Sequence, residues 1–430
     1  MIGPGAGNKL LVFGAGAAGM NLAIQAAKLG VSVDVLEKLD VPFASLRLAS
    51  WRRIDPVEYD WPHDHYARGT FSATGSVPLP QTTGTGAYLA NVWDAAWQKW
   101  AATLNGKGNR GKVEIIPNFD ATQIRGSFDE KATGVTVDAP WPGSAAARVT
   151  YGAIVSCVGF AGEKTDDPAR PWNDYAGPQF WTDDDHFHED LARPLECHRV
   201  LISGGGDGGM QDYQRAMTGS FGKALLKRIT DFIAPLDRDW QVLPATSEAM
   251  ILKAEDAGRR ACAWRQGTHG IDGVLADWHA AFEKEADKVL GSLDESVLRQ
   301  LELEILRPCI VSGATRVTWI YRDATPGYAY ALNRYLSIFV ERMAEAAAKS
   351  SEALPRREII SIVPDDPANH QCGNPDDCFG VEHHVVLRSA AGVDTKSSFD
   401  WIVVRHGANQ IPLLREPTMP EQMTPYDIPR

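Results

Sequence analysis

The pattern of apolar and polar positions at the head of the chain predicts a strand, a helix and a second strand. Positions 10–13 form an unbroken apolar run, which is typical of a parallel strand buried on both faces. Apolar residues then recur at helical spacing over 20–29, and Gly30 supplies a stop signal for the helix. A second apolar run over 31–36 ends at Glu37. We therefore predict a β–α–β unit over residues 9–38.

The same pattern starts again about halfway along the chain. Residues 199–203 predict a short strand, a glycine-rich turn follows, and residues 210–217 enter a helix. The pattern over 219–310 is largely helical, which predicts an inserted helical subdomain, so the second strand of this unit comes late, over 316–321. Further elements complete this half of the chain: a helix over 328–347 and strands over 358–363, 381–387 and 398–404.

These elements predict an α/β fold that contains two Rossmann-like units. The first domain is expected over 1–190, the second over 191–415 with its insertion at about 219–310, and a C-terminal tail over 416–430. In the first domain, a helix over 83–101 carries a tryptophan stripe that we interpret as a core-facing side. Strands are predicted around it over 112–117, 134–137 and 149–158.

The first strand runs directly into a turn with the pattern G-x-G-x-x-G. Gly14 permits the tight turn, Gly16 lets the backbone approach a pyrophosphate, and Gly19 lets helix and strand pack closely. The helix N-terminus offers unpaired N–H groups to phosphates, and Glu37 stands where it can bind ribose hydroxyls and repel a 2′-phosphate. The alternative is a glycine-rich turn without a ligand. The predicted binding residues are Gly14, Ala15, Gly16, Ala17, Ala18, Gly19, Glu37 and Lys38.

The second glycine-rich turn predicts a second dinucleotide site at Gly204, Gly206 and Gly209. It differs from the first because Asp207 lies inside it, and a carboxylate competes with a phosphate for a helix N-terminus. Three alternatives stay open: the aspartate points away, it meets a hydroxyl or amine of a ligand, or the turn is architectural. Arg322 ends the next strand, where a 2′-phosphate would be received, and the alternative is an ion pair with a neighbouring acid such as Asp323.

Two other strand ends carry glycine and could face a bound nucleotide. Gly159 follows the strand that ends near residue 158, and Gly407 follows the last predicted strand. A glycine at the carboxyl end of a strand permits close approach of the backbone to a ligand. His406 could contact a cofactor or substrate there, and the alternative is that it only stabilises the turn.

The segment 47–69 interleaves arginine and histidine with aromatic residues and is interrupted by proline, which excludes a long helix. Guanidinium groups bind phosphate or carboxylate well, so this loop could line an active site. The alternative is a rigid loop with surface salt bridges. The candidate catalytic residues are Arg52, His63 and His65.

Composition narrows the class of partner. The chain has 430 residues, 44% hydrophobic and 23% charged, and a net charge of −12, which argues against nucleic acid or anionic membrane as the main partner. No apolar run is long enough to span a membrane. Six scattered cysteines suit reduced thiols and a cytoplasmic location, and the spacing of Cys372 and Cys378 is too loose for a zinc site. We expect no metal and a small-molecule substrate; the oligomeric state stays open.

The two motifs together resemble the flavoproteins with two dinucleotide-binding domains, especially flavin-containing and N-hydroxylating monooxygenases. The resemblance covers most of residues 9–415. It implies that FAD binds at Gly14, Gly16, Gly19 and Glu37. It also implies that NADPH binds at Gly204, Gly206 and Gly209, with Arg322 as the cationic partner.

The leading hypothesis is therefore an FAD-dependent oxidoreductase, most specifically a monooxygenase reduced by NADPH. In this class the cofactor carries the chemistry while the protein positions it and excludes water. Two alternatives stay open. One is a flavin oxidase or dehydrogenase whose second unit is only scaffold. The other is a protein that senses NAD(P) or FAD without turnover.

Overall fold

A computed structural model of the chain describes most of the two predicted units. His63, His65, Gly159, the pair Cys372 and Cys378, and the tail over 416–430 lie outside the described residues, so the predictions made for them are not addressed below. The described residues are 9–49, 52–55, 58, 61–62, 78–80, 82–105, 111–120, 126–128, 135–138, 141, 148–158, 172, 175, 177–180, 198–264, 271–327, 329–347, 351–365 and 381–407.

The first half of the chain is built on a parallel sheet with a small antiparallel sheet beside it. Its elements in chain order are β1 (Lys9–Phe13), α1 (Ala17–Lys28), β2 (Ser32–Leu36), α2 (Ala44–Leu48), β3 (Arg53–Ile54), β4 (Gly84–Thr85), α3 (Gly86–Asn105), β5 (Val113–Ile116), β6 (Gly126–Phe128), β7 (Val135–Asp138), β8 (Arg148–Tyr151) and β9 (Ala153–Ser156). The parallel sheet has the order β5-β2-β1-β9, and β6, β7 and β8 form the antiparallel sheet.

Strand β1 is apolar throughout because both of its faces are covered. Leu10 and Val12 pack in one core with residues of α1 and α3. Leu11 and Phe13 pack in a second core that includes Val137 of the antiparallel sheet. The tryptophan stripe of α3 faces the first of these cores, so the interpretation of that stripe as core is confirmed.

The second half repeats this architecture with helices added. Its elements in chain order are β10 (Arg199–Ser203), α4 (Asp207–Thr218), α5 (Gly222–Ile233), α6 (Ala245–Trp264), α7 (Ile271–Leu290), α8 (Glu295–Ile305), α9 (Pro308–Val311), β11 (Arg316–Tyr321), α10 (Ala331–Ala347), β12 (Ser351–Pro355), β13 (Arg357–Pro364), β14 (His383–Ser389), β15 (Asp394–Phe399) and β16 (Trp401–Val404). The parallel sheet has the order β12-β11-β10-β16, and β13, β14 and β15 form an antiparallel sheet.

The two halves are therefore copies of one plan. In each, the strand that opens the unit lies between the second strand and the last strand of its parallel sheet. In each, a three-stranded antiparallel sheet is inserted immediately before that last strand. The predicted α/β fold with two Rossmann-like units is confirmed, and the second unit repeats the parallel sheet and the three-stranded antiparallel sheet of the first.

Two segments that were predicted as single strands are each divided into two strands of different sheets. The segment 149–158 is not one strand: the chain leaves the antiparallel sheet at Tyr151, turns at Gly152 and enters the parallel sheet. The segment 398–404 divides in the same way at Asp400, whose carboxylate accepts hydrogen bonds from the N–H groups of His198 and Arg199. Each corner is a single residue, Gly152 or Asp400, between two strand-forming segments, so the sequence pattern predicts one strand where the structure has two. Strand β12 was missed because its sequence, SEALP, is short and half polar.

The helices inserted before β11 share the core of the second unit instead of forming a subdomain of their own. Phe282 of α7 and Leu301 of α8 pack in the same core as Phe339 of α10 and Trp319 of β11. Each of these helices has one apolar face, and packing against the parallel sheet and α10 buries that face.

Two further features bear on the expectations from composition. Within the described part of the chain, no helix combines the length and apolar character needed to cross a bilayer. Cys157 and Cys309, whose side chains the structure describes, are both free thiols.

Candidate functional site

The first glycine-rich turn has a different physical reason for each of its glycines. Gly14 has φ +93°, and a Cβ there would lie 2.5 Å from the carbonyl oxygen of Cys157. A Cβ at Gly19 would lie 1.9 Å from the carbonyl oxygen of Gly14, so the helix can approach the strand only without a side chain. A Cβ at Gly16, in contrast, would meet nothing within 4 Å. Gly14 and Gly19 are required by the fold, whereas Gly16 faces open space.

The N-terminus of α1 begins at this open side. Gly16 is the N-cap residue, its backbone is extended, and no side chain caps the helix. No acidic residue lies in the first turn of α1. The first N–H groups of a helix have no partner within the helix and carry a partial positive charge, so this terminus is suited to an anion such as a pyrophosphate.

Glu37 lies at the tip of β2, directly beside the turn. One carboxylate oxygen accepts a hydrogen bond from the N–H of Ala15 at 2.6 Å, and the other accepts one from the N–H of Leu39 at 3.0 Å. The carboxylate is therefore held at the edge of the phosphate loop. Lys38 is turned to Asp120 in an exposed ion pair at 3.5 Å, which gives it no contact with the loop.

The second glycine-rich turn has the same geometry. Gly204 has φ +144°, and a Cβ there would lie 2.3 Å from the carbonyl oxygen of Arg405. A Cβ at Gly209 would lie 2.1 Å from the carbonyl oxygen of Gly204, while one at Gly206 would meet nothing within 4 Å. Gly206 is again the N-cap residue of its helix, without a side-chain cap.

Asp207 is the first residue of α4, next to the open Gly206. Its Oδ1 accepts hydrogen bonds from the N–H of Tyr330 at 2.8 Å and from the side-chain amide of Asn333 at 2.7 Å. Burial raises the pKa of Asp207 from its usual 3.8 to about 6, against the lowering effect of these two hydrogen bonds. Of the three alternatives for this residue, the geometry favours a carboxylate whose Oδ1 is turned to the start of α10.

Arg322 follows β11 directly, in the position that Glu37 occupies after β2. Its side chain is exposed, and within the part of the chain that the structure describes it forms no ion pair, with Asp323 or any other acid. The two copies of the plan therefore present an acid at one strand tip and a cation at the other.

His406 lies at the carboxyl end of β16, on the same sheet edge as the second turn. Its Nε2 is 2.8 Å from Oγ of Ser203, the last residue of β10, and its ring packs edge-on to Trp172. This contact ties the ends of two neighbouring strands together, as expected for a histidine that stabilises the turn. Gly407 follows it with open space around its Cα. Roles of either residue in ligand binding stay predictions.

Arg52 is buried where the two halves of the chain meet, and its neighbour Phe180 lies against Gly208 of the second glycine-rich turn. Its guanidinium stacks on the ring of Phe180 at 3.7 Å and lies 3.7 Å from a carboxylate oxygen of Asp212 in α4. Asp212 is fully buried and also binds Arg215 at 3.0 Å and Arg405 at 2.7 Å. The catalytic role suggested for Arg52 stays a prediction, and the structure shows an ion-pairing one.

The positive charges around Asp212 explain how its carboxylate can be fully buried. Burial by itself would raise the pKa of Asp212, but Arg405, Arg52 and Arg215 together lower it below its usual value. No local pattern indicated this cluster, because Arg52 and Arg405 lie far along the chain from Asp212 and Arg215, which are one turn apart on α4. We call Arg52, Asp212, Arg215 and Arg405 the buried ionic cluster.

A second contact joins the halves at the start of α5. An oxygen of Glu58 accepts a hydrogen bond from the N–H of Lys223 at 2.7 Å, and a Cβ at Gly222 would lie 2.0 Å from that oxygen. Burial raises the pKa of Glu58 from its usual 4.5 to about 7, outweighing the hydrogen bond from Lys223. Glu58 thus caps a helix N-terminus while paying a desolvation cost as an anion.

This contact predicts a pH dependence of stability. The folded state binds the proton of Glu58 more tightly than the unfolded state does. Protonation of Glu58 therefore stabilises the fold fully below pH 4.5, and this stabilisation is lost as the pH rises to about 7. The loss should reach about 3 kcal/mol. We expect Glu58→Gln to unfold with a weaker pH dependence than the wild type between pH 4.5 and 7, measured as urea midpoints. The exposed Glu352→Gln is the control, and equal slopes for Glu58→Gln and wild type would contradict the prediction.

A known family of protein domains matches the part of the chain that contains the first glycine-rich turn. Residues 12–75 match the family described as NAD(P)-binding Rossmann-like domain. Comparison of the sequence with curated proteins gives no match. This family match covers β1, the first glycine-rich turn, α1 and β2, which are the elements whose geometry suits a dinucleotide.

Solved structures with similar chains include three disulfide reductases. Thioredoxin reductase of Lactococcus lactis has 14% identity and a TM-score of 0.39, covering 94% of this chain and 78% of its own. Thioredoxin reductase of T. acidophilum has 12% identity and a TM-score of 0.38, covering 95% and 80%. Bacillithiol disulfide reductase of Bacillus cereus has 10% identity and a TM-score of 0.42, covering 93% and 78%.

Proposed function

We propose that this chain is a flavin-dependent oxidoreductase that binds FAD in its first unit and NADP(H) in its second. The observation that carries the proposal is the duplication: two turns of the same geometry, each with its middle glycine facing open space at the N-terminus of a helix. Two bound dinucleotides, one to give electrons and one to receive them, are what an oxidoreductase of this kind requires.

The residues at the two strand tips support a different cofactor for each turn. Glu37 stands where it would accept hydrogen bonds from ribose hydroxyls, and a 2′-phosphate beside this carboxylate would be repelled. The first turn thus suits FAD, whose ribose hydroxyls are free. Arg322 at the equivalent tip is exposed and carries the charge that a 2′-phosphate needs, so the second turn suits NADP(H).

The role of the protein in such a reaction is to bind and orient. The backbone N–H groups at Gly16 and Gly206 would hold the pyrophosphates, and Glu37 and Arg322 would select the ribose at each site. A bound flavin would supply the redox chemistry, taking hydride from NADPH and passing electrons to an oxidant. The specific activity we propose is that of an NADPH-dependent monooxygenase acting on a small molecule, with O₂ as that oxidant.

Spectroscopy of the purified protein tests this function. We expect oxidised-flavin absorbance, either as purified or after addition of FAD, and bleaching by NADPH under anaerobic conditions. Readmission of O₂ should restore the absorbance. A protein that takes up no FAD would reject the proposed function. A flavin that NADPH reduces but O₂ does not reoxidise would reject only the monooxygenase.

A second candidate is a flavin oxidase or dehydrogenase whose second unit binds no dinucleotide. Asp207 favours it, because a carboxylate at the first residue of α4 opposes a pyrophosphate at that helix N-terminus. Flavin reduction by an amine or alcohol substrate, with no response to NADPH, would identify this activity.

A further inference from the structure

Asp207 marks the position at which the two copies of the glycine-rich turn differ in charge. In the first copy the N-cap Gly16 is followed by Ala17, and in the second the N-cap Gly206 is followed by Asp207. The remaining geometry is alike, from the positive φ of the first glycine to the close approach of the third. The two turns can therefore be compared directly, because they have the same backbone geometry with a methyl group after the N-cap in the first and a carboxylate in the second.

Some neighbours of Asp207 stabilise its ionised carboxylate. The N–H of Tyr330 and the side-chain amide of Asn333 both donate to Oδ1, and the positive charge of Arg334 acts on the carboxylate from the same helix, α10. Arg334 is itself held by the carbonyl oxygens of Pro326 and Gly327. These contacts fix the side chain in place whether or not it carries a proton.

The other elements disfavour a negative charge. Glu255 of α6 repels the carboxylate, and partial burial in the protein disfavours its charged form. His279 of α7 contacts Arg334 but stays neutral, since burial lowers its pKa to about 3. Asp207 is thus a constrained carboxylate near its titration point at neutral pH, beside the open Gly206.

A pyrophosphate at this turn would add negative charge next to the ionised carboxylate. The helix N-terminus can stabilise one anion well, and two anions there repel each other. Protonation removes the conflict without moving the side chain, because a carboxylic acid can still accept from Tyr330 and Asn333. Binding of the ligand and uptake of a proton are then linked.

We propose that Asp207 takes up a proton from solvent when the second glycine-rich turn binds an anionic dinucleotide, so that affinity rises as the pH falls. This rests on the proposed function, since it takes NADP(H) as the ligand of the second unit. It makes the second unit a pH-dependent site and leaves the first unit, with Ala17 at the equivalent position, independent of pH in this range.

Titration calorimetry on the flavin-loaded protein tests the proposal, with NADP⁺ and NAD⁺ as probes between pH 6 and 8. NAD⁺ is included because the 2′-phosphate of NADP⁺ itself titrates near a pKa of about 6. We expect the wild type to lose about 50-fold in affinity for either probe from pH 6 to pH 8, because a carboxyl with a pKa of about 6 is half protonated at pH 6 and only about 1% protonated at pH 8. Buffers of different ionisation enthalpy should show close to one proton taken up per ligand at pH 8.

Asp207→Asn keeps both acceptor contacts and removes the charge. We expect it to bind about 100-fold more tightly than the wild type at pH 8 and to take up no proton. Asp323→Asn removes the same charge from an exposed position near Arg322 and should keep the wild-type pH dependence. Thermal melts and flavin content, unchanged in all three proteins, establish that the fold is retained.

The outcomes separate the two proposals. Binding by Asp207→Asn with the same affinity and pH dependence as the wild type would overturn the proton linkage and leave the second site standing. A flavin-loaded protein that binds neither probe at pH 6, in the wild type and in Asp207→Asn, would overturn both the linkage and the assignment of NADP(H). A pH dependence shared by all three proteins would also overturn the linkage.

Discussion

Gly16→Val should abolish flavin binding and leave the protein folded. The space beside Gly16 is open to at least 4 Å, and its extended backbone at φ −74° is one that any L-residue adopts. The Cβ of a valine would therefore meet no protein atom within 4 Å, but the side chain would fill the path of a pyrophosphate along the helix N-terminus. We expect FAD affinity to fall by at least about 100-fold, the scale of losing two or more good hydrogen bonds to a charged group.

The measurement is the flavin-to-protein ratio after reconstitution, together with the melting temperature of the apoprotein. Gly206→Val is the matched control, since Gly206 has the same N-cap geometry and the same open space. It should keep the flavin and lose NADP⁺. A Gly16→Val protein that binds FAD as the wild type does would contradict the assignment of the first turn.

Gly19→Ala provides the opposite control. Its Cβ would lie 1.9 Å from the carbonyl oxygen of Gly14, which is a backbone atom and cannot move aside as the end of a flexible side chain could. We expect this variant to be poorly folded, with loss of both flavin and secondary structure. Loss of flavin in Gly16→Val with normal structure is then distinguished from loss of flavin through unfolding.

Asp212→Asn should cause the largest loss of stability among single charge removals. The carboxylate is fully buried and contacts Arg52, Arg215 and Arg405, so its replacement removes a buried negative charge that balances part of the charge of three buried guanidinium groups. Breaking a buried ion pair by removing one partner costs about 3–5 kcal/mol. We expect a decrease of that order in the free energy of unfolding, measured by urea denaturation with the flavin bound and removed.

Asp231→Asn is the matched control for this prediction. It makes the same chemical change in an exposed ion pair with Lys227 one turn away on α5. Exposed pairs of this kind contribute about 0.5 kcal/mol or less, so the control should stay close to the wild type. A loss below about 1 kcal/mol in Asp212→Asn would show that the buried ionic cluster does not depend on its carboxylate.

The sequence predicted the structure best at the first glycine-rich turn, where each residue of the motif has one physical role. Gly14, Gly16 and Gly19 each have the surroundings that the motif predicted, and Glu37 lies at the strand tip beside them. These contacts join residues close together in the chain, or on neighbouring strands whose order the β–α–β pattern fixes. The strand corners at Gly152 and Asp400 were missed because each is a single residue between two strand-forming segments, and the pattern does not show that the chain passes there from one sheet to another.

The sequence by itself determined the two β–α–β units, their glycine-rich turns and the residues at the strand tips, because these depend on backbone geometry and on periodic burial. The tertiary structure alone decided where isolated charges go. Arg52 meets Asp212, and Glu58 meets the start of α5, only when the two halves pack, and Asp207 is turned to the start of α10 by residues 123 and 126 positions away. The pKa of each carboxyl is set by burial and by the distances to its charged neighbours, which no local stretch of sequence contains.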